Sequence, residues 1–396
     1  MTDSSSSIPP VNPWLSRFAK MVVAATFWLI FIGGHTTTTG AGMAFPDWPL
    51  SHGSVNPQGW WSDMMMRLEH GHRWTAGPVG ILIGILCAWV WRSRWSVPLA
   101  LLSAAFFGGV AHTIAKALTT TKIAIVASSI SGIVISAAVF LVLLMRDARR
   151  DEAPRSSGVR WLAYSAFLGV CAQAILGGLR VIFDPQGIVP IDATTATAFR
   201  VIHGCFAQLE LCLLVALAAK LSPAWPAVQF DEHRPSRLAW TVVGAVFLQL
   251  IVGATMRHLG AGLAIPTFPQ ASPAGSWMPA VHNAYVDLNF THTRFGALLV
   301  TFLVFTLSLR TLFGRQRQPL LTRPAWLLLG LVGLQITLGV YVIWQGRPAM
   351  LTTLHVVNGA AVLATSVLLA VRIGRASNVS TDSLQTTHPH LLRATA

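Results

Sequence analysis

The chain has 396 residues, of which 53% are hydrophobic and only 11% charged, and its mean hydropathy is +0.59. A soluble domain carries about a quarter charged residues, so this composition excludes an ordinary water-soluble globule. The formal net charge of +14 does not signal a nucleic-acid partner. Its basic residues sit at junctions between apolar runs, and no basic stripe with interleaved aromatics occurs elsewhere.

In chain order, the first twenty residues are polar, Ser-rich and poor in Arg, with neither a signal-peptide nor a transit-peptide pattern, so residues 1–17 read as a cytoplasmic N-terminal segment and the first apolar run is expected to be an uncleaved anchor. Apolar runs bounded by charge or by Gly and Pro predict ten helices, over 18–35, 66–92, 96–117, 122–146, 158–180, 196–221, 237–256, 285–311, 324–345 and 351–373. Each is long enough to cross about 30 Å of hydrocarbon. The expected fold is all-α and polytopic. Basic clusters at Arg17 and Lys20, Arg92 and Arg94, Arg146–Arg155, Arg234–Arg237, Arg310–Arg323 and Arg372–Arg375 mark alternate span ends. This positive-inside pattern places both termini in the cytoplasm. It puts loops 36–65 and 257–284, rich in Gly, Pro and Trp, outside. All four cysteines (Cys87, Cys171, Cys205, Cys212) fall in apolar runs and read as small buried hydrophobes, not as a disulfide framework. The tail 374–396 reads as a disordered cytoplasmic end.

An internal repeat organises the chain. Gly40–Pro49 is GAGMAFPDWP and Gly260–Pro269 is GAGLAIPTFP, and the same 220-residue offset carries His72 onto His292. Gln173–Gly177 (QAILG) matches Gln335–Gly339 (QITLG) at an offset of 162, and His203 matches His355 at 152. The first copy therefore holds 220 − 162 = 58 extra residues between His72 and Gln173, about two helices, which correspond to 96–146. The plan is a four-helix unit at 18–221 with a two-helix insertion, then a second unit at 237–373. An even number of added spans keeps everything downstream in the same orientation, as a parallel repeat requires.

Four of the thirteen histidines stand apart. His72, His203, His292 and His355 each lie a few residues inside a span that runs from outside to inside. An ionisable side chain inside a span is costly unless it has a partner or a task. Two imidazoles on facing helices of a bundle suit the two axial positions of a haem iron. The bland alternative is four hydrogen-bonded core histidines. Zinc fits less well, since no cysteine or carboxylate completes a tetrahedral set in both halves. His35, His52, His258 and His282 lie in loops or at span ends, His388 and His390 in the tail, and His112 in the insertion without a counterpart. His70 and His72 are two apart on a helix and do not face the same way.

Glu69 breaks the symmetry. It shares a helix face with His72, whereas the position 220 residues on is Asn289. A carboxylate beside one site can move protons or stabilise developing positive charge; its alternative role is to pair with Arg73. Arg73, Arg180 and Arg294 are candidate partners for haem propionates, or plain positive flanking residues.

These residues resemble the heme A synthase family. The match rests on Glu69-x-x-His72-Arg73, the GAGMAFPDWP loop, QAILGGLRV followed by His203-Gly204, and Thr291-His292 with His355, and it covers roughly 17–373 apart from the insertion. The resemblance implies a membrane oxidoreductase of the bacterial plasma membrane that oxidises a methyl group of heme O to a formyl group. The product, heme A, would serve cytochrome oxidase assembly. It implies a resident haem b on His292 and His355, and heme O on His72 and His203 with Glu69 as the catalytic carboxylate and Arg73 as a further substrate contact. Heme O synthase and cytochrome oxidase assembly proteins are the implied partners, beside membrane lipid; a homo-oligomer is left open. Two departures stand out: the cysteine pair that several family members carry in the first outside loop is missing, and the inserted pair exceeds the usual eight helices. The rival reading is a two-haem b-type electron-transfer protein, which would have no need of a carboxylate in one half only. A transporter would suit the parallel repeat, but broken helices at midplane and intramembrane charged pairs are not evident.

Overall fold

The computed structural model describes residues 12–118, 121–151, 155–228, 235–314 and 317–387. The polar start before residue 12 and the tail beyond 387, with His388 and His390, lie outside the described residues. Among the described residues the chain is all-helical. Its helices are α1 Pro13–Thr38, α2 Met64–Trp91, α3 Ser96–Leu118, α4 Thr121–Ala148, α5 Ser157–Ile182, α6 Ala193–Lys220, α7 Ser236–His258, α8 Ala284–Leu312, α9 Pro319–Trp344 and α10 Ala349–Thr387. All ten contain a stretch long and apolar enough to cross a membrane. This is a multi-pass membrane protein.

The boundaries follow from local chemistry. Helix α6 begins before the expected residue 196 because the Asp192 carboxylate caps it, accepting from the backbone N–H groups of Thr194 and Thr195 at 3.0 and 2.9 Å. Those bonds and the Thr195 hydroxyl, the largest contributor, hold the Asp192 carboxyl below its ordinary range. Asp63 and Asn283 cap α2 and α8 in the same way. Helix α9 begins at Pro319 rather than at the expected residue 324, so Pro324 lies inside it. A proline leaves the carbonyl four residues earlier without its helical donor. Here that carbonyl belongs to Leu320, and the Arg372 guanidinium donates to it at 2.7 Å. The last helix runs on to Thr387, past the expected start of a disordered tail at 374.

The helices form two rings. In the first, α1 packs on α2, α2 on α5, α5 on α6, and α6 on α1. In the second, α7, α8, α9 and α10 close in the same order. Helices α1 and α6 meet α10 between the rings, and α6 also meets α7. The core holds small and branched side chains such as Leu211, Val242, Val304, Leu328 and Leu363. Large apolar residues including Phe302, Leu298 and Leu248 are exposed on the outside of the rings, as helices facing lipid require. Helices α3 and α4 pack chiefly on each other, where Gly108 and Gly132 let the backbones approach: a Cβ on Gly132 would lie 3.0 Å from the Ala104 carbonyl. The pair rests against the α2–α5 edge of the first ring.

The repeated decapeptide folds the same way twice. Gly40 and Gly260 have φ of +77° and +75°, a left-handed turn that favours glycine, and each leads into a short 3₁₀ turn, Ala41–Met43 and Ala261–Leu263. The Trp48–Pro49 and Phe268–Pro269 peptide bonds are both cis.

Candidate functional site

In each ring the two histidine-bearing helices stand diagonally opposite: α2 and α6 in the first, α8 and α10 in the second. Each imidazole leans on a glycine of the helix before it. A Cβ on Gly33 of α1 would lie 2.8 Å from Cε1 of His72, and one on Gly177 of α5 3.0 Å from that of His203. On Gly253 of α7 it would lie 2.5 Å from Cε1 of His292, and on Gly339 of α9 3.1 Å from that of His355. A side chain at Gly33 or Gly253 would force the ring to shift, and one at Gly177 or Gly339 would make it give way slightly. Gly33 and Gly253 escaped the sequence reading, although they too are 220 residues apart.

His292 and His355 face each other across the second ring, with ring centroids 6.3 Å apart and planes 77° from parallel. Two imidazole–metal bonds, at about 2.0–2.1 Å each as for zinc, would span a gap of this kind. Nδ1 of His292 and of His355 are buried without a hydrogen-bond partner. In the first ring Nδ1 of His72 is likewise buried and unpartnered.

Glutamines orient the two histidines that close the units. Gln173 Nε2 lies 3.1 Å from His203 Nδ1 and donates to the His203 carbonyl at 3.0 Å. Gln335 Nε2 lies 3.2 Å from His355 Nε2. Each amide N–H faces one ring nitrogen and so fixes where the imidazole stands. The donor set, the glycine cradles and the unpartnered nitrogens fit a haem in both units.

The acid pairs with Arg73, the alternative its sequence position offered. Glu69 is buried; its Oε1 accepts from Arg73 Nη2 at 2.6 Å and its Oε2 from the Phe45 backbone N–H at 2.9 Å. Arg73 also donates to the carbonyls of Asp47 and Leu50, both at 2.7 Å, and of Phe45 at 2.9 Å. Its two terminal nitrogens thus hold the outside loop and Glu69 together. Arg180 similarly donates to the Gly42 carbonyl at 2.6 Å.

Arg294 performs the task of Arg73 in the second unit. It donates to the carbonyls of Thr267 at 2.5 Å and Gln270 at 2.9 Å, the positions 220 residues beyond Asp47 and Leu50. Yet Arg294 stands two residues after His292, whereas Arg73 follows His72 directly. The extra residue is taken up by a π-turn, Thr291–Gly296, inside α8. Gln249 of α7 donates to the His292 carbonyl within that turn at 2.7 Å. Asn289 replaces Glu69 and donates to the carbonyls of Ala261 and Gly262 at 2.9 and 3.1 Å. Both residues therefore brace their loop, and only one brings charge.

His70 is held by Ser51, whose Oγ lies 3.0 Å from Nδ1, and by the Trp60 ring at 4.7 Å, so it belongs to the loop packing and not to either pair.

A model of the COX15-CtaA family, described as cytochrome oxidase assembly protein, matches residues 125–367. The chain belongs to this family. The match includes His203, His292 and His355 and begins beyond Glu69 and His72. A heme A synthase of Caulobacter vibrioides is 25% identical over 387 residues, covering 92% of this chain and 96% of its own. A heme A synthase of Erythrobacter litoralis is 23% identical over 386 residues, covering 91% and 98%. One from Beijerinckia indica is 30% identical over a shorter stretch of 191 residues, 44% of this chain and 52% of its own.

Proposed function

We propose that this protein is an oxidoreductase of heme A synthesis, oxidising a methyl group of heme O to a formyl group to supply heme A for cytochrome oxidase. The observation that carries the reading is the unequal pair Glu69 and Asn289 beside otherwise matched histidines, in a chain whose relatives along nearly its full length are heme A synthases. In this reading His72 and His203 hold heme O, and His292 and His355 hold a resident haem b. A haem b there supplies one-electron transfer when bound. His292 and His355 would hold it, and their glycine cradles would keep the rings from turning.

The pair with Arg73 holds the Glu69 carboxyl group on the His72 face of α2. Each carboxylate oxygen has a further lone pair beyond the bond to Arg73 or Phe45, so Glu69 can still accept a proton from the substrate side. Arg73 limits its movement by tying it to the outside loop. The bacterial relatives and the basic clusters support a plasma-membrane location with both termini in the cytoplasm.

The test is haem extraction and chromatography from cells that make this chain together with a heme O supplier. Heme A is expected. Haem b with unconverted heme O would sink the synthase reading and leave a b-type electron-transfer protein.

A further inference from the structure

Glu210 of α6 lies seven residues after His203, on the same helix face and about 10 Å deeper into the membrane. It is 4% exposed, and neither carboxyl oxygen has a hydrogen-bond partner. An ionisable group at this depth is costly and marks a functional site by default. The space it fills is made for it: a Cβ on Gly169 of α5 would lie 1.9 Å from Glu210 Oε2.

Gly169, Gln173 and Gly177 are spaced four apart on α5, so they form one stripe toward α6. Gly177 receives the His203 ring, Gln173 holds the His203 backbone and ring, and Gly169 receives the Glu210 carboxyl. Gln173 Oε1 is also buried and unpartnered. The seam thus carries hydrogen-bonding groups with spare capacity from the histidine down to the acid.

The second unit keeps the glutamine and the cradle glycine but lacks the acid and its pocket. The positions matching Gly169 and Glu210 are Leu331 and Val362. The position matching Phe206 is Asn358, whose Nδ2 donates to Gln335 Oε1 at 2.7 Å and so closes the oxygen that Gln173 leaves free. The difference falls on the same unit as Glu69.

We propose that Glu210 is the proton-holding group of the His72–His203 site, reached along the α5–α6 seam through Gln173 and water. This rests on reading that site as the one where oxidation releases protons. The step is proton transfer alone: one O–H bond breaks in a hydronium ion delivered along the seam, and one forms at a Glu210 carboxylate oxygen. Cys171 of α5 interacts electrostatically with Glu210, and Cys87 of α2 and Tyr164 of α5 with Cys171.

The test compares the purified, haem-loaded protein with Glu210→Gln by infrared difference spectroscopy, in H₂O and D₂O and across pH. The wild type is expected to show a protonated-carboxyl C=O band that shifts in D₂O, and Glu210→Gln to lack it with haem content unchanged. Conversion of heme O should fall about 10²-fold, the low end for acid–base groups, with an altered pH profile. Glu210→Asp, which keeps the acid, should retain a displaced band and part of the activity; it also serves if the glutamine variant does not fold. An unchanged band in Glu210→Gln, or wild-type turnover with a wild-type pH profile, overturns the proposal. If wild-type protein makes no heme A, the synthase reading fails by itself, while the band still decides whether Glu210 holds a proton.

Discussion

The two four-helix units are copies in everything that would hold a haem and differ in everything that would move charge around it. The glycine behind each ring and the glutamine behind each closing histidine are the same residue type in both units: Gly33 and Gly253, Gly177 and Gly339, Gln173 and Gln335. Against that constant frame stand Glu69 and Asn289, Glu210 and Val362, Gly169 and Leu331, and Phe206 and Asn358. The first three give the first unit a carboxylate, or room for one, and the second a neutral or apolar group; the fourth leaves the Gln173 amide oxygen open where Asn358 closes that of Gln335. A duplicated binder diverges most economically in this way, because ligand geometry constrains the frame and leaves the surrounding charge free to vary. The second unit also carries the π-turn next to His292, with the Gln249 contact that goes with it.

The largest expected effect separates the units outright. His292→Ala or His355→Ala should abolish the low-spin haem b spectrum of the purified protein, and His72→Ala or His203→Ala should retain most of it. Equal loss from all four variants would erase the division between a resident and a substrate site. Next comes Glu69→Gln, which nearly preserves shape but removes the negative charge. Haem b content should persist while heme A yield drops by about 10²–10⁴-fold, the range for general acid–base groups. Wild-type yield would leave Glu69 only the loop-bracing role that Asn289 already fills.

The architecture was legible in the sequence because its signals are long-ranged and redundant. Ten apolar runs, basic clusters at alternate ends and repeat offsets of 220, 162 and 152 all pointed to the same plan. The four histidines and Glu69 were legible as polar residues where polarity is costly. Contacts that cross between helices were not. The sequence shows Arg73 as a cation near a candidate site, but its bonds to Asp47, Leu50 and Phe45 exist only once the outside loop folds back. The passage of α9 through Pro324 depends on Arg372, about fifty residues away in the chain. Gly33 and Gly253 could have been found from the 220 offset, yet a glycine in an apolar helix is too common to notice without the ring that rests on it. The one-residue slip from Arg73 to Arg294 was also visible, but only the π-turn shows that both arginines reach equivalent carbonyls.

The cradles give a graded comparison of smaller effects. Overpacking a closely fitted site costs about 1–3 kcal/mol, and the cost should follow how near the new methyl comes to the imidazole. Gly253→Ala, at 2.5 Å, should therefore lower thermal stability and haem retention most, followed by Gly33→Ala at 2.8 Å, with Gly177→Ala and Gly339→Ala at 3.0 and 3.1 Å least affected. Melting temperature of the purified protein and haem-to-protein ratio measure the series. Uniform effects would mean that the helices move apart freely and that the glycines do not fix the rings.

The smallest expected effect concerns the insertion that only the first unit has. Helices α3 and α4 meet each other through Gly108 and Gly132 and touch the first ring at its α2–α5 edge, away from α1 and α6. Most of α3 faces outward, with Leu102, Phe106 and Ile114 exposed. His112 therefore sits on a helix that adds surface to the unit without entering the bundle between His72 and His203. His112→Ala should leave the haem spectrum, the haem-to-protein ratio and heme A yield unchanged. The informative outcome is a selective one: loss of heme A yield with the haem b spectrum intact would tie the insertion to the first unit's site after all. It would then belong with Glu69 and Glu210 among the features that set the first unit apart, and not with the lipid-facing surface.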